Sequence, residues 1–70
     1  MDELKKSFDG VMTAIYEEII FCDDEIKNAM TDTRRERFAA MREAYLTIVQ
    51  YYDMESDFQR YKRVTAKFRD

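Results

Sequence analysis

The side chains that could do chemistry in this chain are few and unevenly placed. Cys22 is the single cysteine, and there is no histidine among the 70 residues. A Ser-His-Asp triad, a Cys-His dyad and an imidazole base near neutral pH are therefore excluded. Glu17, Glu18, Asp23, Asp24 and Glu25 form an acidic run. A ferritin-like metal site would need inward-facing carboxylates with a Glu-x-x-His motif. Here the carboxylates fall off the apolar stripe, so they read as a solvated face, and neither a metal nor a cofactor is expected. Cys22 lies in mid-stripe beside two aspartates, the wrong sign to activate a thiolate, and reads as a small buried hydrophobe. The only glycine is Gly10, so no phosphate-cradling loop can form. The expectation is a protein that is not an enzyme.

Two basic clusters remain. Arg34, Arg35, Arg37 and Arg42 open the second half of the chain, and Arg60, Arg63 and Lys67 share one helical face near the end. Arginines interleaved with aromatics can hold phosphates and stack bases. However, the net charge is −3, and nucleic-acid-binding domains usually carry a basic balance. Residues 1–32 sum to −6 and residues 33–70 to +3. An acidic helix lying beside a basic one accounts for that division.

The elements that must position these groups are helical. Proline is absent, glycine occurs once, and 39% of residues are charged, which points to an all-α chain. On a wheel of about 100° per residue, Leu4, Phe8, Val11, Met12, Ile15, Ile19, Cys22, Ile26, Ala29 and Met30 fall in one uncharged arc. That stripe predicts a first helix over about 3–30. Thr31-Asp32-Thr33 ends it, and Thr33 with Glu36 matches a capping box. A second helix over about 34–52 carries Phe38, Met41, Ala44, Tyr45, Ile48, Val49 and Tyr52 on one side. The short turn makes the two an antiparallel hairpin.

Met54, Phe58, Tyr61, Val64 and Phe68 are also helically spaced, but their stripe lies on the side opposite to the Phe38–Tyr52 stripe. A straight helix cannot aim both at one core. A break near Asp53–Ser56 and a third helix over about 55–69 is the preferred reading, giving a small three-helix bundle over residues 1–70. The alternative is one long helix whose C-terminal half docks on a second chain.

A chain of this size buries only about 60% of its unfolded surface. Without a disulfide or a metal it is expected to self-associate. Ile20 and Phe21 lie off the first stripe on opposite flanks, with Tyr16 beside Ile20, and one short helix cannot cover both flanks. Clustered apolar groups outside a core mark interfaces, and tyrosine is suited to wet ones. Tyr16, Ile20, Phe21, Tyr51, Met54, Phe58 and Tyr61 are thus the expected interface with a partner protein or a second copy. No apolar run approaches a membrane span, and no signal-peptide core follows the N-terminus. A lone thiol then fits a reducing cytoplasm. The functional expectation is a small interaction protein, a regulator, adaptor or inhibitor that occludes its target, as a homo-oligomer. The alternative is a nucleic-acid or nucleotide binder using the basic faces of residues 34–42 and 60–69.

Overall fold

The structure, a computed structural model, describes residues 10–66. These form three helices, α1 (Gly10–Lys27), α2 (Asp32–Tyr51) and α3 (Glu55–Ala66), and no strand occurs among the described residues. The expected start of the first helix near residue 3, with Leu4 and Phe8, lies outside the described residues, as do Lys67 and Phe68.

α1 stops three residues short of the expected Met30. The Asn28 amide side chain donates to the Asp24 carbonyl at 2.9 Å, and the Ala29 N–H tightens onto the Ile26 carbonyl at 3.4 Å. Asn competes for helical backbone acceptors in this way, which favours it at helix ends. Met30 is left 92% exposed and takes no part in the stripe. The cap of α2 also moves. Thr31, in extended conformation, accepts the Arg34 N–H on its Oγ1 at 3.2 Å. The Thr33–Glu36 box is not used, because Thr33 already lies inside the helix. Asp32 in the first turn pairs with Arg35 at 2.7 Å, an acid placed at the positive end of the helix dipole.

The break after Tyr52 is a Schellman motif. The Met54 N–H reaches the Val49 carbonyl at 2.9 Å, and the Asp53 N–H reaches the Gln50 carbonyl at 3.0 Å. Asp53 sits at φ 55, the left-handed position that glycine normally fills. The Met54 carbonyl then accepts the Phe58 N–H at 2.9 Å and starts α3. Ser56 and Gln59, which have the spacing of a capping box, therefore lie inside α3 and do not start it. Asp53 bears two costs, left-handed backbone and a negative charge at the negative end of α2. Asp53→Gly is expected to stabilise the chain by about 0.5–1 kcal/mol in urea unfolding followed by circular dichroism. A destabilised variant would show that the Asp53 side chain makes a compensating contact.

The core joins Met12, Tyr16 and Ile19 of α1 to Val49 of α2 and to Phe58 and Tyr61 of α3. Ile15, Ile20, Tyr45, Leu46 and Met54 pack around it. Burial on α1 is rotated from the expected stripe toward the Tyr16–Ile20 side, because α3 covers that flank. Val11, on the other edge of the stripe, is 70% exposed. The Tyr16 ring lies 5.1 Å from Phe58 and 5.3 Å from Tyr61. Each of the two tyrosines donates to a carboxylate on the opposite helix. Tyr16 donates to Asp57 at 2.7 Å, and Tyr61 donates to Glu17. The α1–α3 contact is thus fastened twice, in opposite directions, around one aromatic cluster.

Candidate functional site

The antiparallel hairpin brings the start of α1 beside the end of α2, and the Schellman turn brings Met54 to the same end. Three apolar stripes meet there and do not close. They leave an open groove of about 480 Å³ lined by Val11, Met12, Ile15, Ile48, Tyr52 and Met54. Its rim is formed by Val11 and Tyr52, the latter 63% exposed. Tyr51 stands beside it with its ring 5.0 Å from that of Tyr52, edge to face. Except for the Tyr52 hydroxyl, no lining side chain carries a polar atom able to orient a small ligand. Small-molecule sites usually combine an apolar wall with a few convergent polar groups. The groove instead has the character of a surface for another apolar side chain.

The residues expected at an interface separate into three sets. Tyr16, Phe58 and Tyr61 are taken up by the chain's own core, at 0%, 4% and 0% exposure, because α3 folds back onto the flank that Tyr16 occupies. Ile20 and Met54 are half-buried against that core. Phe21 and Tyr51 stay on the surface. Phe21 meets the edge of Phe38 at 5.9 Å, and the Arg34 guanidinium lies over the Phe38 ring at 5.2 Å. Ile20 also borders a smaller cleft of about 240 Å³ with Asp23, Asp24, Lys62 and Ala66.

The basic clusters are partly spent on the fold. Arg34 pairs with Glu25 at 2.9 Å and Arg42 pairs with Asp23, so α2 is tied to the acidic face of α1. Arg60 pairs with Asp57 at 3.2 Å. With Arg35 held by Asp32, four of the arginines face a carboxylate. Arg37 and Arg63 are exposed on α2 and α3, and Lys67 lies outside the described residues. The acidic run is accordingly not a purely solvated face, since Glu17, Asp23 and Glu25 all serve as partners within the chain. Among the described residues, no group of three or more acidic or cysteine side chains could hold a metal ion.

Cys22 is fully buried. Desolvation pushes its pKa above the ordinary thiol value, with Glu18 and Asp23 adding to the effect and Arg42 opposing it. A thiol kept neutral in this way is a packing group.

Sequence reasoning placed Val11, Met12, Ile15, Ile48 and Tyr52 in core-facing stripes and missed that they outline an opening. A usable signal was present. The stripes of α1 and α2 both continue to the open end of the hairpin, where the only further apolar residue the third segment supplies is Met54.

Fold and site together define residues 10–66 as an all-α arrangement of three helices with an apolar groove at the open end of its hairpin. No family model, curated protein or solved structure was found to match it. No described helix is long and apolar enough to cross a membrane.

Proposed function

We propose that this chain is a small non-enzymatic protein-interaction module, a regulator, adaptor or inhibitor that binds a partner protein and occludes it. The observation that carries this reading is the groove itself. Val11 and Tyr52 are held open to solvent beside Met12, Ile15, Ile48 and Met54. A contiguous apolar opening rimmed by aromatic residues marks a docking surface rather than a core. Self-association is proposed through the exposed Phe21, and is read from the native mass in light scattering. For the nucleic-acid alternative, Arg37 and Arg63 are exposed, whereas Arg34, Arg35, Arg42 and Arg60 would have to leave carboxylate partners to meet phosphates.

The test compares immobilised wild-type chain with Val11→Arg in retaining proteins from a lysate. Val11 is exposed, so the variant is expected to keep the wild-type circular dichroism and unfolding midpoint, since surface changes usually cost within about 0.5 kcal/mol. A protein retained by the wild type and lost by Val11→Arg supports docking at the groove. Equal retention by both removes the groove from the interaction.

A further inference from the structure

The groove has a charge environment as well as a shape. The described segments that form it contain no lysine or arginine from residue 10 to 26, nor from 43 to 59. Their charged residues are all acids. Asp53 and Glu55 flank the lining residue Met54 and are exposed, as are Glu18 and Glu43 farther along α1 and α2. The bases of the described chain lie elsewhere. Lys27, Arg34, Arg35 and Arg37 lie toward the hairpin turn, Arg42 is at the middle of α2 and paired with Asp23, Arg60 is drawn to Asp57, Arg63 is exposed on α3, and Lys62 lies over Phe58 and borders the Ile20 cleft. The residues outside the described range sum to zero by sequence, −1 before Gly10 and +1 after Ala66. The exposed rings of Tyr51 and Tyr52 add faces that attract cations.

We infer that the groove accepts a cationic amphipathic helix of a partner protein, its apolar side chains entering between Val11, Met12, Ile15, Ile48, Tyr52 and Met54 and its lysines or arginines meeting Asp53 and Glu55. This rests on the interaction reading given above and names the chemistry of the partner. An amphipathic helix in an apolar groove is a recurring recognition mode, anchored by residues at i, i+3, i+4 and i+7. Charge complementarity around such a groove selects the partner and speeds encounter, and weakens with salt. An acidic helix of the same apolar pattern would meet like charges.

The probe is a fluorescein-labelled helical peptide with leucines at i, i+3, i+4 and i+7 and lysines elsewhere, titrated with the full chain in fluorescence anisotropy. Its counterpart replaces every lysine with glutamate. The lysine peptide is expected to bind at least about tenfold tighter than the glutamate peptide and to lose affinity with added salt. Asp53→Asn with Glu55→Gln is expected to weaken the lysine peptide several-fold with the wild-type circular dichroism retained, since asparagine tolerates the left-handed position. Val11→Arg is expected to weaken it further. Equal binding of the two peptides overturns the cationic partner while leaving the groove as a docking surface. Binding of neither, with Val11→Arg still retaining its lysate protein, overturns both readings. Two other occupants would also overturn the inference. A native mass that falls to one chain in Val11→Arg assigns the groove to a second copy. Peptide binding that emerges only after Leu4→Ser and Phe8→Ser assigns it to the chain's own N-terminal segment.

Discussion

Tyr61→Ala is expected to undock α3 and bring the chain close to unfolding at room temperature. Tyr61 is fully buried, packs on Tyr16 at 5.3 Å, and donates its hydroxyl to Glu17 on α1. Removing a buried aromatic ring costs about 3–5 kcal/mol. At about 0.05–0.15 kcal/mol per residue, a chain of this length has about 4–10 kcal/mol in total. The substitution therefore consumes a third of the stability at the least and all of it at the most. Once undocked, α3 has only twelve residues, too few to stay helical alone in water. Circular dichroism should lose the third helix's share of the signal at urea concentrations where the wild type is intact.

Tyr61→Phe separates the ring from the hydroxyl. It keeps the packing and loses the bond to the half-buried Glu17 carboxylate. Its cost is expected near the lower end of the roughly 1–3 kcal/mol range for a hydrogen bond to a charged group, because water can reach Glu17. The order of urea midpoints should be wild type, then Tyr61→Phe, then Tyr61→Ala. An alanine variant within about 0.5 kcal/mol of wild type, the range of ordinary surface changes, would place Tyr61 outside the core.

That tyrosine marks the limit of what the sequence shows. Helical spacing located all three helices and the break near Asp53, since the stripe jumps to the opposite side after Tyr52 whatever surrounds it. Spacing also put Tyr16 and Ile20 on one flank, but a wheel has no third body and could not choose between a partner and α3. Two facts decided it. Asp53 adopts a backbone position for which sequence rules look to glycine, so the turn was sharper than its composition suggested. The tyrosine–carboxylate bonds that fasten α1 to α3 join residues 41 and 44 positions apart, beyond the reach of any local pattern. The acid–base division did indicate how α1 and α2 lie together, and Asp23–Arg42 and Glu25–Arg34 realise it. The groove was illegible for a different reason. It is set by where three helices stop relative to each other, and periodicity records only which side of each helix is apolar.

Val49 allows that geometry to be tested by titration. It is the one fully enclosed residue of α2, and its carbonyl accepts the Met54 N–H that closes the turn. Val49→Asp would place a carboxyl where water does not reach. Full burial raises a carboxyl pKa by up to about 3–5 units, and because the unfolded carboxyl titrates at about 3.9, the penalty against folding that this imposes at pH 7 is about 4 kcal/mol. That reaches the lower end of the total available and adds to the loss of the valine's packing, so the variant is expected to be largely unfolded at neutral pH. The folded carboxyl would bind its proton more tightly than the unfolded one. The penalty is therefore complete above the raised folded pKa, shrinks as the pH falls through it, and is gone below the unfolded value of about 3.9. Helicity should return on acidification from pH 7 toward about 5, where a carboxyl shifted to this degree regains its proton. Val49→Asn carries a similar polar burial without a titrating group and should show no such recovery. Wild type measured alongside accounts for any effect of acid on the rest of the fold. If Val49→Asp is as helical as Val49→Asn at pH 7, water reaches the three-helix junction, and the groove extends into the core around Val49.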